Sequence, residues 1–472
     1  MDFLLSFKLP KILETISKEL SKHNAEVIIV GGCVRDYYLN LPIKDYDIEV
    51  YGLSTIEELE AILSSFGSVN LVGKSFGVLK FKFDADEYDF SFPRTESKIG
   101  IGHKDFNIVV DGLLDYFVAF KRRDFTINAM GYHVEKKEFI DPFNGLDDLR
   151  SKRLKHIDDA TFIEDPLRVY RAVQFCARFD FRMADGTFDL CKNMVAHHEL
   201  QSLAKERVYE EFKKLLLKSP KPSLGFELMR KLGVLQYFPE LQALIGVPQS
   251  PKWHPEGDVW IHTMMSVDAI VSLLGEDKKE NLVLMFAILS HDLGKAITTT
   301  IDADGNIRAI GHENASVALS ESFLHRLTNE SELIQRVLPL VKHHLKPSQF
   351  FSAKAKDRGI RRLATKVNIK ELITVAKADF LGRTTKEAKV GIYNAGEWLH
   401  DKSQKLHVQT KPLDNLLQGK DLIKLGLKPS PLFKKILDAV YELQLSGNIV
   451  TYEDAIEYVQ FNEAFSKENI QS

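Results

Sequence analysis

Asp45 and Asp47, one residue apart, close a run that begins Gly31-Gly32-Cys33-Val34-Arg35-Asp36. Side chains two apart on a strand point to the same face, so both carboxylates converge on one small volume. Such a pair repels itself unless a cation lies between, and oxygen-only ligands favour Mg²⁺. Upstream, the apolar strand Val27-Ile28-Ile29-Val30 runs into Gly31-Gly32. There the missing Cβ atoms let backbone amides approach a phosphate, and Arg35 adds a fixed cation. A lone Asp-x-Asp is commonly a solvated turn, and a lone Gly-Gly a loop. In the order strand, Gly-Gly, helix, acidic strand, they point to nucleotidyl transfer.

A second constellation is rich in histidine: His254-Pro255-Glu256-x-Asp258 with His262, then His291-Asp292, His312-Glu313, His343-His344 and Asp379. A single histidine is ordinarily a core or surface residue. This many, each on or at the end of a helical stretch, read as ligands. The apolar run Phe286 to Leu289 ends at His291-Asp292, where an imidazole and a carboxylate can ligate one ion. Mixed nitrogen and oxygen ligands suit Mn, Ni, Fe or Zn as well as Mg.

The elements that must position these groups differ between the two halves. The first 145 or so residues mix strand and helix. Gly77 to Phe83 alternates, with Leu79, Phe81 and Phe83 opposite Val78, Lys80 and Lys82. A turn at Asp84-Ala85-Asp86 leads into Glu87 to Phe92, and this hairpin brings Asp89 toward Asp45 and Asp47 as a third carboxylate. From about Glu164 helical patterns dominate, with breaks at Ser219-Pro220-Lys221-Pro222 and Pro248 to Pro255. A chain of 472 residues exceeds one core. Its 44% apolar and 27% charged residues are those of a soluble globular protein. A formal charge of -3 supplies no global basic field, so nucleic acid would be held by local stripes. Cys33, Cys176 and Cys191 match no metal spacing and suggest a reducing compartment. Met1-Asp2-Phe3 opens a poor signal peptide, and no stretch approaches a membrane span. The expected location is the cytoplasm, without membrane attachment. No sequence feature specifies an oligomeric state.

Five blocks in order resemble the class II tRNA nucleotidyltransferases, the CCA-adding enzymes of the poly(A) polymerase family. They are Gly31 to Asp36 with Asp45 and Asp47, Arg122-Arg123-Asp124-Phe125-Thr126-Ile127-Asn128-Ala129, Asp141-Pro142-Phe143-Asn144-Gly145, Glu164-Asp165-Pro166-Leu167-Arg168, and Glu206-Arg207 with Glu210-Glu211. Residues 250 to 385 resemble the HD phosphohydrolase superfamily. The resemblance implies an α+β fold. Its parts are a nucleotidyltransferase palm of mixed sheet and helix over 1–150, a helical neck and body over 151–245, an all-α HD domain over 246–400 and a helical tail over 401–472. It implies catalysis by Asp45, Asp47 and Asp89 with Mg²⁺ on Asp45 and Asp47. Nucleotide binding falls to Gly32, Arg35, Arg94, Arg123, Asp124, Asp165, Arg168 and Arg171. CTP and ATP are the implied substrates, and tRNA lacking all or part of its CCA end the partner. In the HD part, His262, His291, Asp292 and Asp379 would form one metal site. His312, His343 and His344 would complete a second across a bridging Asp292, and the chemistry would be that of a phosphatase and 2′,3′-cyclic phosphodiesterase.

Asp165 and Arg168, three apart at a helix start, can face the same way. A carboxylate accepts from an exocyclic amino group and a guanidinium donates to the neighbouring ring nitrogen. Cytosine and adenine offer that pair; guanine and uracil offer the reverse. Asp165 before Pro166 is also a good helix cap. The resemblance implies that the glycine-punctuated Thr95 to His103 is the loop that reshapes the pocket between C and A addition; by itself it reads as an ordinary surface loop. The basic stretch Lys354 to Lys389, with Arg361, Arg362 and Arg383, reads either as a track for tRNA phosphates or as a solvated helix face. Poly(A) polymerase is the near rival, although Leu71 to Gly77 lacks that branch's Arg-Phe-Arg run; partial CC or A addition is another. A nucleotide-sensing or RNA-gripping protein is the alternative from a different class.

Overall fold

The computed structural model describes residues 9–43, 45–72, 77–84, 86–98, 106–462 and 465. The chain divides into two compact units, Met1–Tyr237 and Phe238–Ser472. No helix among the described residues is long and apolar enough to cross a membrane.

The first unit is built on a seven-stranded sheet of order β3-β4-β5-β2-β1-β8-β9. Its strands are β1 (Glu26–Val30), β2 (Tyr46–Tyr51), β3 (Ser68–Val72), β4 (Val78–Phe83), β5 (Asp86–Ser91), β8 (Gly131–His133) and β9 (Glu138–Ile140). The strands β6 (Arg94–Lys98) and β7 (Phe106–Val110) pair separately. Val27 to Val30 are all buried, as a continuous apolar run in a central strand requires. Helix α1 (Lys11–Ser21) lies before β1, and α2 (Gly32–Tyr38) directly after it. Between β1 and α2 stands Gly31 at φ 75, where a Cβ would meet the Arg123 guanidinium at 2.6 Å. Only glycine fits there.

β4 and β5 form the expected antiparallel hairpin, with Leu79, Phe81, Tyr88 and Phe90 buried. β5 then pairs with β2 in parallel, and that register sets Asp47 beside Asp89. Of the segment Thr95 to His103, residues 95–98 belong to strand β6, not to a loop; 99–105 lie outside the described residues. So do Gly73 to Phe76 and Ala85, which the readings of Leu71 to Gly77 and of the hairpin turn included.

Past the sheet, α3 (Leu167–Phe179) packs on α4 (Lys205–Lys218). Helices end at Lys218 and restart at Ser223 across the Pro-containing break. In the second unit, α5 (Val259–Val271), α6 (Lys278–Ser290), α7 (His312–Leu327), α8 (Ser331–His343) and α9 (Ile369–Leu381) carry the histidine constellation. Every residue of α6 from Asn281 to Ser290 is buried, so this helix is apolar all round and shows no single face. Leu417, Leu422, Leu427, Ile436, Val440, Ile449, Ala455 and Val459 close a separate small core near the end of the chain.

Phe125 joins sheet to helices. It is fully buried, with ring centroids of Phe162 and Phe175 each 5.8 Å away in edge-on contact. Phe125→Ala is expected to destabilise the first unit by about 3–5 kcal/mol, read as a lower urea midpoint at unchanged slope. A loss below about 1 kcal/mol would mean that this ring cluster does not couple the two layers.

Candidate active sites

One cleft of about 450 Å³ in the first unit is lined by Gly32, Arg35, Asp47, Arg94, Arg123, Asp124, Asp165, Arg168 and Arg171, together with Arg122, Asn128 and Arg207. Asp45 immediately precedes β2 and is exposed; Asp47 is exposed and Asp89 half-buried on adjacent strands. Lys80 on β4 lies 3.4 Å from Asp89. Crowding by the protein raises the Asp47 carboxyl above its ordinary range. Arg123 opposes this shift, while Asp89, Asp45 and Glu49 add to it. A carboxylate raised by burial and further by its like-charged neighbours is a place where an added cation is favourable, so the donor set fits a hard divalent ion.

The basic wall is held from beneath. Glu49 is 1% exposed and accepts at one oxygen from Arg122 at 3.0 Å and from Arg123 at 2.9 Å. Its other oxygen accepts from the Tyr51 hydroxyl at 3.0 Å. Glu49 continues the alternation Asp45, Asp47, Glu49 on one strand face, a signal the sequence carried and the reading above did not use. Asp124 is buried and accepts from Arg171 at 2.7 Å, Asn128 at 2.9 Å and its neighbour's amide at 2.9 Å. Burial would raise its carboxyl, but Arg171, Asn128 and Arg168 hold it below the usual range.

Arg35 differs from a free phosphate-binding cation. It is 5% exposed, donates to Asp36 at 2.6 and 2.8 Å and to Asn128, and lies over the rings of Phe175 and Phe179. It fastens α2 to α3 while one edge reaches the cleft. Asp165 and Arg168 both reach the cleft wall without bonding each other. One Asp165 oxygen accepts from the Leu167 amide at 3.2 Å, and the other from Arg207 at 2.8 Å. Arg168 donates to the carbonyls of Thr161 at 2.6 Å and Arg122 at 2.7 Å. One Asp165 oxygen thus holds the first amide of α3 while the other is turned to Arg207 at the cleft wall. Asp141 accepts from the amides of Gly145 and Leu146, which makes that block a turn-former.

The second cavity, about 230 Å³, is lined by Asp292, His312, His344, Asp379, Lys295, Arg383, His254, Trp253 and the hairpin residues Ile307, Arg308 and Ala309 among others. Asp292 is its centre. His291 and His262 approach one carboxylate oxygen at 3.2 and 3.8 Å; His312 and His344 approach the other at 3.3 and 3.9 Å. Asp379 stands 3.1 Å from His262. His262, His291 and Asp292 offer ligand atoms within 4.8 Å of one another, and so do Asp292, His312 and His344.

The backbone orients these rings. His291, His312 and His344 each turn Nδ1 to the carbonyl three residues back, Ile288, Ala309 and Val341, at 2.6–2.7 Å. A carbonyl only accepts, so Nδ1 carries the proton and Nε2 presents a lone pair to the centre. Glu256 holds Nδ1 of His262 at 2.9 Å. The His291 Nε2 and both Asp292 oxygens are buried without a hydrogen bond of good geometry; the Lys295 ammonium stands 2.7 Å from one of those oxygens, and the other faces the imidazoles of His312 and His344, the pattern of a group awaiting an ion. Burial alone would raise the Asp292 carboxyl; His291, Lys295 and His312 hold it well below its ordinary range. Burial, reinforced by His291, brings His344 down to about 3.

His343 stands apart. Neighbours on a helix point about 100° apart, and His343 instead faces Lys366, Lys342 and Lys346, which with burial lower it to about 4. Within the basic stretch, Arg383 pairs with Asp379 at 2.9 Å, Arg361 donates to the Leu445 carbonyl, and Arg362 pairs with Glu442. Lys295, 2.7 Å from Asp292 and from Gln249, went unread. Its spacing of three from Asp292 on one helical turn was the available signal.

Residues 27–155 match the family model "Poly A polymerase head domain", 180–245 "Probable RNA and SrmB- binding site of polymerase A", and 259–383 "HD domain". A "Multifunctional CCA protein" of Methylobacillus flagellatus is 37% identical over 76% of this chain and 84% of its own. One of Dechloromonas aromatica is 38% identical over 76% and 84%. The structure also resembles a Bacillus stearothermophilus CCA-adding enzyme in complex with CTP, with TM-score 0.64 and 20% identity over 97% of this chain and 98% of that one. This last likeness concerns the fold.

Removing Glu49 tests the basic wall. Glu49→Ala strands two half-buried guanidinium groups and is expected to destabilise by about 3–5 kcal/mol, while Glu49→Gln, which keeps an acceptor, falls between the two. Equal midpoints in urea for wild type and Glu49→Ala would sink this account.

Proposed function

We propose that this chain, which belongs to the family of multifunctional CCA proteins, adds C, C and A to the 3′ end of tRNA from CTP and ATP and releases pyrophosphate. One observation carries the reading: a single cleft sets Asp47, which the pairing of β2 with β5 places beside Asp89, against a wall of internally paired guanidinium groups. That is the charge pattern a nucleoside triphosphate and its cation require. Asp45, Asp47 and Asp89 would hold Mg²⁺. When bound, the ion lowers the pKa of the RNA 3′ hydroxyl and neutralises charge on the departing pyrophosphate. Arg122, Arg123 and Arg171, fixed by Glu49 and Asp124, receive the triphosphate without having to reorganise. Gly32 lets the chain approach it closely, while Arg35 and Arg94 complete the rim. Asp124 accepts from ribose hydroxyls through the capacity its partners leave open.

Asp165 and Arg168 select the base. Arg168 is held by two backbone carbonyls, so its remaining N–H groups point in a direction set by the fold. Asp165 exchanges its contact with Arg207 for the exocyclic amine of C or A. G and U present a carbonyl where Asp165 needs a donor, and this leaves polar groups at the cleft wall unpaired. No nucleic-acid template is needed.

The HD unit hydrolyses phosphoesters as a phosphatase and 2′,3′-cyclic phosphodiesterase. His262, His291, Asp292 and Asp379 would hold one ion, and His312 and His344 a second across Asp292. A bound ion there supplies a hydroxide at neutral pH. Imidazole-rich donors favour Mn, Fe, Ni or Zn over Mg. Lys295 and Arg383 line the same cavity and would receive the phosphate oxygens. Three free thiols, all buried, accord with a cytoplasmic location.

Two substitutions separate the sites. Asp47→Ala is expected to lower CTP and ATP addition to tRNA ending at the discriminator base by at least about a thousand-fold, with phosphoesterase activity retained. Asp292→Ala is expected to do the reverse. Loss of both activities in either folded variant would rule out two independent sites. An unlimited A tail from the wild type would replace CCA synthesis by poly(A) synthesis.

A further inference from the structure

The guanidinium wall stands on one flank of the carboxylates. Phe120, just before Arg122 and Arg123, packs on Ile28 and Val30 of β1, and Gly32, which also lines the cleft, follows that strand. In the sheet order β3-β4-β5-β2-β1, the triphosphate side is therefore the β1 side of β2, and β5, β4 and β3 lie on the other. Across that other flank runs a row of polar side chains in register. Asp47 is paired with Asp89, Asp89 with Lys80, and Lys80 with Asn70. Partners directly opposite in a sheet share a face, and two strand spacings put Lys80 roughly 10 Å from Asp47 along the row. The opposite face of these strands, with Ile48, Leu79, Phe81, Tyr88 and Phe90, is buried. The row itself is open: Asp47 and Asn70 are exposed, and the side chains of Asp89 and Lys80 are each 38% exposed.

Lys80 is an odd neighbour for a metal ligand. Its ammonium lies 3.4 Å from Asp89 and 3.8 Å from Glu87, whereas Lys82, one step along the same face, has Glu87 at 2.5 Å. An ion on Asp89 would repel the Lys80 ammonium, so that charge stays favourable only where another anion takes the carboxylate's place. An in-line displacement supplies one. The attacking hydroxyl must stand opposite the departing pyrophosphate. With the pyrophosphate on the β1 side, the RNA end enters over β5, and the phosphate one nucleotide back from its 3′ hydroxyl passes over β4.

We propose that Lys80 binds the last internucleotide phosphate of the RNA and so positions the 3′ end at every round of addition. The proposal rests on the nucleotidyl-transfer reading of the cleft given above. A phosphate contact carries no base information. That suits an RNA whose end is in turn the discriminator base, C, and C-C, because the last phosphate returns to the same place each time while the base above it changes.

The test uses the full-length protein, CTP with Mg²⁺, and tRNA ending at the discriminator base, either natural or with its last internucleotide phosphate replaced by a neutral methylphosphonate. Lys80→Met is expected to raise KM for the natural tRNA about ten-fold, the order of one charge-assisted contact, with kcat and the KM for CTP unchanged. Wild type is expected to suffer the same loss on the methylphosphonate tRNA, and Lys80→Met no further loss on it. Lys80→Arg restores most of the binding, and the control Lys82→Met changes nothing. Fluorescence anisotropy of labelled tRNA, without metal or nucleotide, gives a second readout. There Lys80→Met weakens binding and flattens the slope of log affinity against log salt by about 0.7. Additive losses from the variant and the methylphosphonate, an equal effect of Lys82→Met, or an unchanged salt slope overturns the proposal. If the wild type adds no nucleotide while the anisotropy differences persist, the transfer reading falls and Lys80 stands as an RNA contact only.

Discussion

Guanidinium groups repel one another, and a cleft shaped for a triphosphate must nonetheless hold several of them still. Two unit charges about 4 Å apart at a protein surface interact by about 4 kcal/mol, as much as a large core side chain contributes. This chain meets the difficulty by giving the cations buried or half-buried anionic partners. Glu49 lies under Arg122 and Arg123, Asp124 under Arg171, and Asp36 beside Arg35 and Arg178. Glu49 is placed by the sheet, Asp36 by α2 and Asp124 by the segment that leads into Phe125, so fold and site are one electrostatic structure.

The second site solves the inverse problem. There the buried charge is an anion, Asp292, and it is surrounded by imidazoles whose protons the backbone has directed outward. His291, His312 and His344 repeat one device, a ring turned back to the carbonyl three residues earlier. Each ring sits at the end or start of a helix, where carbonyls or the preceding turn remain open to accept. The same residues that terminate helices thereby aim ligands, so helix boundaries and metal geometry are set together.

The legibility of these sites followed the periodicity of the elements. Asp89 was readable because the alternation of β4 and β5 is clean, and the parallel pairing to β2 completed what the hairpin began. The α+β order of the chain was readable from the same change of period. That Arg35 also ties α2 to α3 was not legible, because its partners, Asn128, Phe175 and Phe179, lie far along the chain; tertiary contacts of that kind leave no local trace. His343 and His344 are indistinguishable as letters, and the phase of α8 alone decides which one faces Asp292. α6 hid its orientation for the opposite reason, since burial on all sides erases the apolar face that would fix its phase.

The base selection proposed for Arg168 without a template strand sets a demand on rigidity. A template reads by presenting a rigid edge, and a flexible side chain would ordinarily lose that rigidity. Two carbonyls, of Thr161 from the preceding helix and Arg122 from the basic block, clamp this guanidinium. The clamp comes from backbone atoms, which no rotamer change can move. Asp165 is anchored on one side by the Leu167 amide and on the other by an exchangeable arginine. Fixed donor and exchangeable acceptor together make an edge whose hydrogen-bond polarity is set by the fold, and C and A share the complementary polarity. Discrimination between C and A must then come from the space beside that edge, because the edge itself treats them alike.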